Sequence, residues 1–275
     1  MASAEITVKS LNRQLEEVFE EESKIYPLQF SDKTGKQGLI ILNHHTNKDS
    51  IDSIKVLAGM QRASDVGVIG RSIFESVLNM GLLVHLPAND GVNRYRLYSS
   101  IESLKVYRHM AQIEKETADK IFTAENIRKW ETDLKQYERD YGVVTSAWSG
   151  KTAVEICQIL DGEYPPVVKS EHFYEFLYCQ IYRYGSSAVH RSGQWLARHV
   201  DIITAPASRG GRVHTARSRE EGLVFNYFHS LIAFLSSMRM IGKAFNLPSL
   251  EDYFQKKVGF LIAGYPETGA TNFNL

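Results

Sequence analysis

Apolar residues recur at helical spacing from near the start of the chain. In LNRQLEEVFEEESKI, residues 11–25, Leu11, Leu15, Val18 and Phe19 share one side with acids between them, which predicts an amphipathic surface helix. SDKTGKQG reads as a turn, and Asp49 is placed to cap a helix from Ser50, with Ile51, Ile54, Leu57 and Ala58 on one face. A second apolar helix is expected from about Ser64 to Leu86, ended by Pro87. Helix continues over residues 90–118 through Tyr95, Tyr98, Ile101, Leu104 and Met110. AENIRKWETDLKQYERDYG, residues 124–142, is charged on most sides, a solvated helix that Gly142 stops.

The second half changes character at SAWSGKTAVEICQILDGEYPP, where Trp148 precedes a short helix and Pro165–Pro166 break it. Ser170 is placed to cap the helix EHFYEFLYCQIYRYGSSAVH. A short β segment is expected near 200–215, and a long apolar helix from about Glu220 to Asn246 precedes a last short one after Pro248. There is no internal repeat. The expectation is an all-α fold, a single bundle of about 7–9 helices, with residues 1–48 as an N-terminal helix and loop and 49–275 as the bundle domain.

Composition narrows the function classes. With 275 residues, 43% apolar, the chain can bury a large core, and 32 basic against 32 acidic residues exclude a surface coated in positive charge. The two cysteines, Cys157 and Cys179, carry no C-x-x-C or His partner, so neither a zinc site nor a disulfide framework is indicated, and both read as buried thiols. No signal-type segment opens the chain and no uninterrupted apolar run reaches the roughly 18–20 residues that cross a bilayer, so the expectation is cytoplasmic, with no membrane partner.

Three polar constellations interrupt this pattern. On a helix turning about 100° per residue, Arg183, Ser187 and His190 fall within about 60° of one another, and Tyr182, Ser186 and His190 form a ladder spaced by four. The plain alternative is a histidine near a helix C-terminus, where a cation is favoured by about 0.3–1 kcal/mol. Arg71, Glu75 and Asn79 repeat every fourth residue on the apolar helix, either as a structural pair or as a guanidinium offered to a pocket and oriented by Glu75. Finally, residues 183–219 hold seven arginines, three histidines, no lysine and one acid, Asp201. Arg191, Arg209, Arg212 and Arg217 belong to this stretch, and guanidinium groups with glycine freedom suit contact with phosphate, although a solvated or partner-binding loop explains them too.

Other chemistries fare worse. No E-x-x-H of a di-metal bundle occurs, and neither a P-loop, a G-x-G-x-x-G nor a G-x-S-x-G is present. His44–His45 with Asp49 offers only weak metal-ligand character in what reads as a loop. No metal and no cofactor are expected.

R-S-I-F-E at 71–75, W-S-G-K at 148–151 and the spaced Tyr182, Ser186 and His190 resemble a bacterial family, domain of unknown function 5677, over roughly residues 50–245. Arg183, six residues, then His190 is also similar to the signature of the HEPN superfamily of helical ribonucleases and RNA-binding domains; the residue after the arginine is Tyr184, where that superfamily often has Asn, Asp or His. The HEPN resemblance implies metal-independent RNA cleavage, with His190, Arg183, Arg71 and Glu75 as catalytic candidates and Tyr182, Ser186, Ser187 and the arginines as substrate contacts. It also implies a homodimer, in a setting such as phage defence or toxin–antitoxin pairing. The rival reading is a non-catalytic scaffold or ligand-sensing module that binds a protein partner.

Overall fold

The computed structural model describes residues 6–24, 35–183 and 211–264, and the side chains of these except Ala88, Arg183 and residues 211–219. Their elements are α1 (Val8–Ser23), α2 (Lys36–Gly59), α3 (Ala63–His85), α4 (Ala88–Ile113), α5 (Lys115–Ile121), α6 (Ala124–Tyr141), α7 (Ala153–Glu163) and α8 (Phe173–Leu177). A π-helical segment (Tyr178–Arg183), α9 (Gly211–Ala244) and α10 (Pro248–Gly264) complete them. The chain is all-α, as the periodicity predicts, and among the described residues the only β pairing is an isolated bridge between Val167 and Ser170. Of the stretch expected to hold a β segment, residues 200–210 lie outside the described residues, while 211–215 are the first turns of α9.

The centre of the bundle is α9. From Leu223 to Ile241 it is buried on nearly all sides, the signature of a core helix rather than an amphipathic one. Around it pack α3, α2, α10 and α1. Close approach to α3 depends on Gly70, where an added Cβ would lie 2.1 Å from Ser230 Oγ. One helix among the described residues, α3, is long and apolar enough to cross a membrane, yet more than half of that stretch is buried in this bundle.

Two expected boundaries are corrected. Asp49 caps nothing: α2 begins at Lys36 and runs through it, because Ile40, His44, Asn47, Ile51, Ile54 and Ala58 form one buried stripe. The polar His44 and Asn47 occupy core positions and break the apolar pattern on which periodicity relies. The boundary between residues 48 and 49 therefore falls inside a continuous helix. Nor does Ser170 cap the next helix. Asp161, on α7, does so from outside, its carboxylate accepting the Tyr174 and Glu175 backbone N–H groups at 2.8 and 3.1 Å.

The stretch expected as one helix over 90–118 is two. α4 ends at Ile113, Glu114 is extended, and α5 restarts at Lys115. With α6 folded back along α4, these elements form a hairpin whose outer part leaves Val106, Ile113 and Ile121 exposed.

Candidate functional site

The polar stripe of α3 divides into two halves. In the first, Arg71 Nε donates to Glu75 Oε1 at 2.9 Å, and the guanidinium carbon lies 4.3 Å from the centre of the Tyr182 ring. The Arg71 side chain is 19% exposed and that of Glu75 45%, so the acid faces water more than the base does. A helix-surface pair at i, i+4 contributes only about 0.2–0.5 kcal/mol, and a partly desolvated cation–π contact adds about 0.5–2 kcal/mol. Stacking on Tyr182 is therefore at least as important as the ion pair for fixing Arg71. The two terminal amino groups of Arg71 make no hydrogen bond to any described residue.

Tyr182 reaches this position from the π segment, where it also stacks on Tyr178, with centroids 5.0 Å apart and planes 19° from parallel. π turns are rare and concentrate at functional sites. The expectation of α-helical geometry across Tyr178–Arg183 is corrected, since this segment is π-helical. Arg183 closes the π segment, one residue beyond Tyr182. Its side chain, together with Ser186, Ser187, His190, Arg191 and Arg209, lies outside the described residues. Arg212 and Arg217 belong to the opening turns of α9, with side chains likewise outside them.

The second half of the stripe is structural. Asn79 Oδ1 accepts from Trp148 Nε1 at 2.7 Å, the Tyr137 hydroxyl donates to the Trp148 carbonyl at 3.0 Å, and Tyr95 meets the indole edge-on. Gly150 adopts a φ of +70°, a conformation that favours glycine in the turn. W-S-G-K is thus a clip that fastens the segment after α6 to α3.

Several polar groups escaped the sequence reading. His44, expected in a loop, sits on α2 and is buried. Its Nδ1 meets Ser237 Oγ at 2.7 Å and its Nε2 meets Glu22 Oε1 at 3.0 Å, while Lys48 pairs with the other Glu22 oxygen. His45 and Asp49 face outward, so the weak metal reading of this trio is not supported by its geometry. Burial holds the His44 pKa below the usual imidazole value, against the pull of Glu22. Burial also depresses His229, to about 4; its Nδ1 donates to the Phe225 carbonyl. Arg239 lies between the rings of Tyr164 and Phe254 and binds both oxygens of Glu251.

Cys157 is buried as expected and its thiol pKa is pushed up by desolvation. Cys179, on the π segment, is exposed, contrary to expectation. Asp161, His172 and Glu175 bring ligand-type atoms within 4.8 Å of one another. His172 and Glu175 are spaced H-x-x-E, the reverse of the order sought in the sequence. Their donors are committed locally: Asp161 caps α8, His172 Nδ1 meets Glu175 Oε2 at 2.9 Å, and Gln158 donates to Glu175 Oε1.

No characterised protein and no solved structure matches the chain. A family model described as a family of unknown function, DUF5677, matches residues 40–204, more than half of the chain. That span runs from within α2 through α3, the Trp148 clip and the π segment, and so includes the Arg71, Glu75 and Tyr182 cluster. The chain belongs to this family of unknown function, DUF5677.

Proposed function

We propose that this protein binds RNA and cleaves it without a metal, in the HEPN-like manner, with His190, Arg183 and Arg71 as its working residues. The observation that carries the reading is the stacking of Arg71 on Tyr182. It joins the arginine of R-S-I-F-E to the residue that precedes Arg183 in the chain. An Arg71 side chain whose terminal amino groups are uncommitted among the described residues suits a phosphate oxygen pair. In the proposed reaction His190 takes the proton of the ribose 2′-hydroxyl, whose oxygen attacks the adjacent phosphorus. The P–O5′ bond breaks as the new bond forms, the 5′-oxygen takes a proton from water or from the protonated His190, and the products are a 2′,3′-cyclic phosphate and a 5′-hydroxyl, with the arginines balancing the charge of the pentavalent transition state. Positioned acid–base groups of this kind contribute about 10²–10⁴ in rate.

The test is cleavage of a labelled single-stranded RNA by the full chain with a chelator present. His190→Ala is expected to abolish cleavage with unchanged circular dichroism, and Arg183→Ala and Arg71→Ala to reduce it. Cleavage by His190→Ala at the wild-type rate removes the mechanism.

A second reading, a scaffold that binds a protein partner, is favoured by the α4–α6 hairpin and its exposed Val106, Ile113 and Ile121. Under that reading neither cleavage nor RNA binding is found.

A further inference from the structure

Arg71 has a divided environment. Its Nε is held by Glu75, its guanidinium plane lies against Tyr182, and its two terminal amino groups are unpartnered among the described residues. A guanidinium offers two edges to an oxyanion, and the end-on edge between the terminal nitrogens matches two phosphate oxygens. Glu75 leaves that edge uncovered. Its own carboxylate nevertheless stays on the adjoining side of the same guanidinium, at Nε, and like charges so placed repel. Arg71 and Glu75 are consequently a cation and an anion held together, and the pair is neutral as a unit before a ligand arrives.

We infer that the end-on edge of Arg71 is a seat for one phosphodiester group and that the charge of Glu75 sets its affinity, holding it weak so that the strand is released after each encounter. This rests on the RNA reading above and changes the role of Glu75 from an orienting group alone to one that orients and restrains. The two duties separate chemically. A glutamine at position 75 keeps a carbonyl oxygen to accept from Arg71 Nε and removes the negative charge, whereas alanine removes both. Tyr182 is a positioning residue in the same sense: it holds the guanidinium plane and so limits the rotamer entropy lost on binding.

The experiment is fluorescence anisotropy of a labelled single-stranded RNA of mixed sequence, titrated with the full chain at two salt concentrations. Glu75→Gln is expected to bind about tenfold more tightly than wild type, the equivalent of about 1.4 kcal/mol, while Glu75→Ala gains less because Arg71 loses its anchor. Arg71→Met is expected to weaken binding and to cancel the Glu75→Gln gain in the double variant, with a salt dependence shallower by about one phosphate contact. Measurable wild-type binding that Glu75→Gln leaves unchanged or weakens, with its thermal midpoint intact, overturns the inference while RNA binding stands. Tighter binding by Glu75→Gln that persists in the Arg71→Met background also overturns it, since the gain is then general electrostatics. Failure of wild type and Glu75→Gln alike to bind RNA removes the RNA reading and the phosphodiester seat together.

Discussion

Trp148 Nε1 donates a 2.7 Å hydrogen bond to Asn79 Oδ1, joining the loop after α6 to the apolar helix α3 across a separation of 69 residues. Asn79→Ala leaves the indole N–H without this partner, and such a loss costs about 1–3 kcal/mol. Urea unfolding is expected to show a lower midpoint at unchanged slope for Asn79→Ala and for Trp148→Phe. The double variant should lose less than the two single losses added together. Strict additivity would show that the pair is not coupled.

Among the described residues Arg239 is the largest fully buried side chain, and its charge is balanced by Glu251. Removing one member of a buried ion pair costs about 3–5 kcal/mol, because the other is left uncompensated. Arg239→Ala should therefore lower stability by an amount near the bottom of that range, since Glu251 retains some contact with water. Arg239→Lys should fall between it and wild type, keeping the charge but losing the bidentate contact and the stacking on Tyr164 and Phe254. A lysine variant as stable as wild type would deny the guanidinium geometry any role.

Gly70 faces Ser230 so closely that a methyl group has no room, and Ser230 Oγ is itself tied to the Asn226 carbonyl at 2.6 Å. Gly70→Ala is expected to destabilise by about 1–3 kcal/mol, the usual cost of overpacking. Ser230→Ala in that background should recover part of the loss. Calorimetry that finds Gly70→Ala neutral would mean that α3 and α9 separate readily here.

Acidification should destabilise the fold. Burial lowers the pKa of His44, and that of His229 to about 4, from an ordinary value near 6.5. Between about pH 4 and 6.5 the unfolded chain binds more protons than the folded one, so unfolding free energy rises with pH through this window. Stability from these two groups is thus fully present above about pH 6.5 and is lost as pH falls towards 4. Groups facing His44 are Glu22 from α1 and His45 and Lys48 from α2, and the first of these opposes the shift. His229→Gln should flatten the slope of stability against pH between 4.5 and 6.5. An equally steep slope in that variant would assign the effect elsewhere.

How far the chain could be read in advance depended on whether a position's chemistry matched its surroundings. Leu11, Leu15 and Val18 are apolar and buried, and α1 was legible from them. The same holds for Val66, Ile73, Phe74 and Val77 on α3. In α2, by contrast, His44 and Asn47 stand where apolar residues would, so periodicity alone reads the first half of that helix as a loop. Their burial is made tolerable by partners on other elements, Glu22, Ser237 and Met80, which no local window contains. The π turn at Tyr178–Arg183 was likewise invisible to a rule built on 3.6 residues per turn.

The candidate site followed the same division. Arg71 and Glu75 share a helix, so their pairing is a consequence of α-helical spacing and was present in the sequence. Local order alone determined the helical class of the chain and the stop at Gly142. The stacking of Tyr182 on Arg71, the use of Asn79 to hold Trp148 and the sealing of His44 and Arg239 in the core were decided by tertiary structure. Each joins residues far apart along the chain, and their meeting depends on how whole helices dock, which side-chain spacing within a single helix does not encode.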